Sequence, residues 1–253
     1  MAAKQTDATI YIEKVETALV EVPIVGTSPL ICNRMSQKAK RELLLPKGRK
    51  TAAEKAVNLK HNPVEEYRAS PYILDGAPTL IGVMASALKG AMMTAALDLP
   101  GAKKAQIGRL VYVEGEYLPV YGVPRLFMSI TRSADIDKTP DVRTRAILPR
   151  WATVARIRFV TPLLNATNIL NLLYAAGAVA GIGDWRPEKG KGAFGQFRIA
   201  NPGDEELVQI MAEGGYEAQY EALYAERPVC YDRESEELLG WFSEEVVKRG
   251  KSV

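Results

Sequence analysis

The chain has 253 residues, of which 47% are hydrophobic and 25% charged, with a formal net charge of +3; this composition is that of an ordinary globular protein. No apolar run reaches the roughly 18 residues needed to cross a bilayer, Met1 to Thr9 lacks a signal-peptide core, and two cysteines, Cys32 and Cys230, exclude a disulfide framework and point to a reducing, cytoplasmic compartment. The charge is unevenly spread: residues 203–253 carry 13 acidic and 5 basic side chains, a balance of −8, whereas residues 1–202 carry 28 basic and 17 acidic ones, a balance of +11. Such asymmetry fits a nucleic-acid-binding body with an acidic appendage, and it also fits two solvated surfaces.

Thr9 to Val22 alternates apolar and polar residues and predicts a long strand, broken by Pro23, Gly26 and Pro29. Leu30 to Lys60 is basic, with nine Lys/Arg and two Glu, and contains the turn sequence Pro46-Lys47-Gly48-Arg49-Lys50. Arg34, Lys38, Lys40 and Arg41 would share one side of a helix starting near Ser36, where they either meet phosphates or keep the helix soluble. A short element over Glu65–Leu74 ends at Asp75-Gly76. Ser86 to Leu97 predicts a helix with Ser86 as N-cap and a stripe of Leu88, Met92 and Leu97, stopped by Pro100-Gly101.

Arg109 to Ile130 reads as two or three short strands with turns at Glu114-Gly115 and Gly122 to Pro124, and Ser133 to Pro149 as a polar loop. In Trp151 to Val160 the odd positions are mostly apolar and the even ones include Arg156 and Arg158, the pattern of a strand with one buried face. Asn168 to Ala180 predicts a helix with Leu170, Leu173, Tyr174, Gly177 and Ala178 on one face. Phe194 to Ala200 reads as a closing strand. Asp204–Glu213, Tyr216–Ala225 and Ser235–Lys248 read as acidic helices. Two βαβ-like halves result: an α+β chain with a ferredoxin-like (RRM-like) core over 1–202, a basic insertion at about 31–78, a thumb-like insertion at about 131–150, and a helical acidic extension over 203–253.

Gly181 to Arg198 is the most informative stretch. Gly181, Gly183, Gly190, Gly192 and Gly195 interleave with Arg186, Lys189, Lys191 and Arg198 and with Trp185, Phe194 and Phe197. Glycines let a backbone approach a ligand closely, cations meet phosphates, and aromatic faces stack on bases. The spacing is not a Walker loop, because the stretch follows a helix and Gly190-Lys191 leads into Gly192 rather than Ser or Thr. Nor is it a dinucleotide fingerprint.

This stretch resembles the glycine-rich loop of the RAMP superfamily, the repeat-associated proteins of CRISPR systems. Thr27-Ser28-Pro29-Leu30 resembles that family's T-x-P-L corner. Thr79 to Ala91 resembles its helix start, with Gly-Val-Met-Ala-Ser in place of the usual Pro-Gly-Ser-Ser and Lys89 in place of the usual Arg. The three matches fall in family order over about residues 10–200. The layout is most similar to the backbone subunits that polymerise along guide RNA, and the pattern is also similar to phage-encoded proteins. The resemblance implies a homo-oligomer or helical filament on single-stranded RNA or DNA, with other ribonucleoprotein subunits as partners. RNA-cleaving backbone subunits carry an aspartate after the first strand; here Cys32-Asn33-Arg34 stands in that region, with no acid between Val22 and Glu42, which implies binding without cleavage.

The expected interface comprises Asn33, Arg34, Lys38, Arg41, Lys89, a second basic cluster of Arg143, Arg145 and Arg150 followed by Trp151, and the glycine-rich stretch, with phosphates on its amides and on Arg143, Arg145, Arg186 and Lys191, and with Trp185 and Phe194 stacking on bases. Three other readings remain open: a phage-type single-stranded DNA annealing protein, an endoribonuclease using His61 as acid or base, and an assembly protein without nucleic acid. No cofactor is expected. One histidine and two distant cysteines cannot build a zinc site, and Asp135, Asp137 and Asp141 read as solvated loop acids rather than a cation site.

Overall fold

A computed structural model describes residues 14–35, 40, 43–44, 61–76, 78–132, 140–189 and 192–249. The strands are β1 (Glu16–Gly26), β2 (Leu30–Ile31), β3 (Tyr72–Ile73), β4 (Ile81–Met84), β5 (Val111–Val113), β6 (Tyr117–Tyr121), β7 (Arg125–Arg132), β8 (Pro140–Leu148), β9 (Ala152–Thr161) and β10 (Phe197–Ile199). The helices are α1 (Pro63–Ala69), α2 (Ala85–Ala95), α3 (Lys104–Leu110), α4 (Ala166–Ala175), α5 (Glu205–Glu213), α6 (Tyr216–Tyr224) and α7 (Arg233–Lys248). The protein is a mixed α+β fold with antiparallel sheets. The larger sheet runs β10-β1-β9-β6-β4-β3, with β5 also pairing β9; the smaller runs β2-β8-β7.

Period-2 patterning builds the larger sheet. Ala155, Ile157 and Phe159 of β9 and Val22 and Ile24 of β1 join one core with Leu88 and Met92 of α2 and Ile169 and Leu173 of α4, so both helices cover the same face. Arg156 and Arg158 point the other way. On that opposite face α5 covers only one end, with Leu207 and Ile210 against Val25 and Ala152. The smaller sheet also has two faces. Leu126 and Met128 of β7 and Ala146 and Leu148 of β8 enter the main core, and the alternate residues Phe127 and Ile147 face away from it with Ile31.

Several expectations from the sequence need correction. β1 continues through Pro23 to Gly26. The Pro23 carbonyl accepts from the Ala200 N–H, on the β10 side, so the missing N–H of Pro23 also faces that side and the ladder to β9 loses no bond. The expected loop over 133–149 contains the nine-residue strand β8, in register with all of β7. Its two prolines, Pro140 at the first position and Pro149 just beyond the last, sit outside the ladder's interior. α3 was not expected: it overlaps the predicted strand region only at Arg109 and Leu110, and the strands begin at Val111. Met84, without a side-chain capping bond, holds the N-cap of α2 in place of Ser86, and Leu97 is 64% exposed. On α4 the buried stripe is Ile169, Leu172 and Leu173, continuing through Ala176, Gly177 and Ala180 in a π-helical turn, while Leu170, Tyr174 and Ala178 face solvent. The expected first residues of β1, Thr9 to Glu13, lie outside the described residues.

The acidic helices match their predicted spans to within two residues at either end, and Asp204 and Asp232 cap α5 and α7. They are built into the body. Gln219 of α6 is fully buried. Its Oε1 accepts from the Leu80 and Ile81 N–H groups, each at 2.9 Å, and its Nε2 donates to the carbonyls of Val120 (2.7 Å), Gly122 (3.0 Å) and Gly214 (3.0 Å). β4 and β6 pair only from Gly82↔Pro119 onward, so this amide serves as the peptide unit that the ladder lacks there. Replacing Gln219 by Leu strands buried N–H and C=O groups, each costing about 1–3 kcal/mol; chemical denaturation should show a loss of at least about 3 kcal/mol, and a loss under about 1 kcal/mol would refute the assignment.

Candidate nucleic-acid interface

Strand alternation decides which side chains share the outer face of the smaller sheet. Register pairs Arg125 with Ile147, Phe127 with Arg145, and Ser129 with Arg143. Phe127 and Ile147 face outward with Ile31, so Arg125, Arg143 and Arg145 belong to that same face. Arg143 and Arg125 are exposed and make no side-chain hydrogen bond or ion pair among the described residues. Arg145 is half-buried: its Nη1 donates to the Arg34 carbonyl at 3.1 Å, and its Nε is buried without a partner. Asn33 is exposed beside Arg34, whose backbone N–H bonds to the Ser70 carbonyl.

The glycine-rich stretch folds over one end of this face. Trp185 and Phe194 pack on Phe127 with ring centroids 6.1 and 6.3 Å away, and Tyr231 closes the cluster from the C-terminal side at 5.6 Å. Trp185 and Phe194 remain half-exposed. Trp185 has φ +50°, the only non-glycine residue with positive φ among the described residues, a strained backbone of the kind found at ligand sites. The two segments flagged by sequence, 181–195 and the Arg143–Arg145 cluster, therefore meet through Phe127.

The glycines do a different job from the one expected. Gly181, Gly183 and Gly195 have φ of +67°, +85° and +70° and let the loop fold back on itself. A Cβ at Gly183 would strike the Ile31 carbonyl, at Gly192 the Trp185 carbonyl, and at Gly195 the Ile182 carbonyl. The Gly181 N–H bonds to Ala176 and the Gly195 N–H to Pro29, so these amides are spent internally and are not free for phosphate. The Asp184 N–H bonds to the Ile31 carbonyl at 3.0 Å, tying the loop to β2.

Other expected contacts are also committed within the protein. Trp151 is fully buried, with Nε1 donating to the Ser28 carbonyl at 2.8 Å; it packs against Gly26 and Phe197 and cannot stack on a base. Arg186 pairs with Glu188 at 2.7 Å and caps the Gly183 carbonyl at 2.9 Å. Burial alone would raise the Glu188 carboxyl, but hydrogen bonds from Arg186 and Thr94 outweigh it and hold the group below its usual range. Arg198 is clamped by Asp204 at 2.7 and 3.1 Å and by Glu206 at 2.8 Å. Lys89 lies 4.7 Å from the Tyr112 ring centroid, beside the larger sheet. Arg150 bonds to Gln209 at 2.9 Å beyond the end of β8. Lys189 is exposed. Lys38, Arg41, Gly190 and Lys191 lie outside the described residues, as do Asp135 and Asp137.

His61 has partners the sequence did not reveal: Nδ1 lies 2.8 Å from Glu66 Oε1, and Nε2 lies 3.0 Å from Asp141 Oδ1. The ring joins the start of α1 to β8, with both nitrogens engaged. Cys32 is buried beneath the smaller sheet, and burial pushes its thiol up to about 12 despite nearby Arg145. Arg125 and Phe127 are residues of this candidate face that the sequence reading missed; the alternation of Arg125, Phe127, Ser129 and Thr131 with Leu126, Met128 and Ile130 was the available signal.

No protein-family model matches the chain, and no curated protein matches it at a significant level. Among the described residues no helix is long and apolar enough to cross a membrane.

The Arg198–Asp204 pair gives a pH test. The Arg198 hydrogen bonds, followed by the Leu207 N–H, lower the Asp204 carboxyl from 3.8 to about 2. A carboxyl lowered in the folded state contributes stability that is complete above its unfolded value and is lost as pH falls through its folded value. The stability difference between the wild type and Asp204→Asn should therefore be constant from pH 7 to 5, shrink below about 4, and close near 2 in denaturation curves.

Proposed function

We propose that the protein binds single-stranded nucleic acid, RNA in preference to DNA, along the outer face of the smaller sheet, without cleaving it. The observation that carries this reading is the shared face: Arg125 and Arg143 stand unpaired beside Arg145, and the half-exposed rings of Trp185 and Phe194 sit on Phe127 at the same face. Guanidinium groups without internal partners neutralise phosphates, and exposed ring faces accept bases of any sequence, at roughly 1–3 kcal/mol per stacked base. The engagement of both His61 nitrogens by carboxylates leaves neither facing a substrate, which supports binding over hydrolysis.

The architecture is compatible with the ferredoxin-like reading. The antiparallel pairing of β10 with β1, β1 with β9 and β9 with β5, with α2 and α4 on one face, supports a reading as two βαβ halves. On that reading the smaller sheet is an insertion carrying the interface, and Thr27–Leu30 with 181–195 forms the RAMP-like corner. A backbone subunit of this kind would assemble as a homo-oligomer along its strand.

The test is anisotropy titration of 20-nucleotide RNA and DNA of equal sequence at several salt concentrations. The wild type should bind RNA more tightly, with log K falling against log salt by about 0.7 for each phosphate contacted. Arg125→Glu and Arg143→Glu should each flatten that slope by about one contact. Salt-independent binding, or slopes unchanged by both substitutions, would defeat the proposal.

A further inference from the structure

A cleft of about 320 Å³ opens beyond the end of β8, between the turn entering β7 and the C-terminal half of α5. Val123, Pro149 and Ile210 give it an apolar lining, and Arg125, Arg150 and Glu213 stand at its edge. That size is at the lower end for small-ligand pockets. Two of the lining side chains, Arg150 and Glu213, are joined through Gln209, which stands outside the lining: Arg150 Nη2 donates to Gln209 Oε1 at 2.9 Å, and Gln209 Nε2 donates to Glu213 Oε1 at 2.9 Å. Arg150 thus brings donors and Glu213 an acceptor to an otherwise largely apolar lining. Arg125 belongs both to this cleft and to the outer face of the smaller sheet, so the cleft is continuous with the proposed strand path.

From this juxtaposition we infer that the cleft is a base-binding subsite, which takes one nucleobase turned out of the strand lying on the sheet. A planar base presents two apolar faces and a polar rim, and the cleft offers the complement of both: Val123, Pro149 and Ile210 for the faces, and Arg150 and Glu213 for the rim. A mononucleotide would gain little here, because its phosphate is held only if Arg125 reaches it; a base delivered by a strand already seated on Arg125 and Arg143 gains the full contact. The inference rests on the proposed function for the seating of the strand, and it assigns the cleft to the base rather than to the phosphate.

Two measurements test it. In the first, wild type and Val123→Trp, which fills the slot from an exposed position, are titrated with a 12-nucleotide RNA and with a sugar–phosphate 12-mer lacking all bases. The substitution should weaken binding of the intact RNA about tenfold, as expected for one lost stacked base, and leave binding of the abasic strand unchanged. Equal affinity of variant and wild type for the intact RNA overturns the subsite while the sheet interface stands, and equal loss on both strands overturns it as well. Wild type that binds neither strand removes the proposed function itself. The second measurement uses the wild type alone: a 4-thiouridine-containing 12-mer is crosslinked and the adducts are mapped by mass spectrometry. Adducts within 122–125 or 209–214 are expected; adducts confined to the peptides of Trp185 and Phe194 overturn the inference.

Discussion

Trp151 stands where the two sheets join, one residue before β9 and three after β8, and the rest of the architecture hangs on it. Its carbonyl accepts from Gly26 at the end of β1, its indole donates to Ser28 in the corner that follows, and its ring fills the space that any side chain at position 26 would need. Phe197 of β10 meets the ring edge-on at 6.3 Å. One fully buried side chain thus fixes the end of β1, the Thr27–Leu30 corner and the closing strand together. The relative placement of the larger sheet, the smaller sheet and the glycine-rich loop follows from those bonds, and with it the meeting of Trp185 with Phe127. A large aromatic contributes more buried apolar area than any other residue type, and here its single polar atom is also satisfied, so the junction has no internal penalty.

Around that junction the cations divide into two classes. Arg186 and Arg198 are enclosed by carboxylates and act as fasteners, the first holding the loop to itself and the second holding α5 to β10. Arg125 and Arg143 have no such partner among the described residues. An unpaired surface cation costs little in water and keeps its whole field for a counter-ion, whereas a paired one has already spent it. Net charge alone therefore says less about where an anion will settle than the list of arginines left without acids.

Most of the secondary structure was legible because its signals are local. Asp204 announces a helix start, the period-2 pattern of β9 is clean, and α5 and α7 carry acidic caps; the start of α4, expected at Asn168, lies instead at its Asn165 cap. What was not legible depended on partners far away in sequence. β8 looked like a loop because its composition is polar and its prolines are prominent, although Arg143, Arg145 and Ile147 alternate faithfully with Thr144, Ala146 and Leu148. α4 offers several apolar stripes of equal merit, and packing against β10 chooses among them. For the candidate site, residue types drew attention to 181–195 but misassigned roles: the glycines accommodate the protein's own carbonyls, and Trp151 serves the core. His61 could not be placed between Glu66 and Asp141 from sequence, because Asp141 is 80 residues away.

The buried amide of Gln219 has a consequence for the order of events during synthesis. β4 and β6 are complete once residue 121 has been made, yet their facing peptide groups at Leu80, Ile81, Val120 and Gly122 find their partner only when residue 219 arrives. Until then that part of the sheet holds dry, unanswered polar groups or stays open to water. The nascent chain is thereby kept from settling early around its first half. Closure awaits α6, so any chain that stops short of residue 219 carries an unfinished seam between β4 and β6.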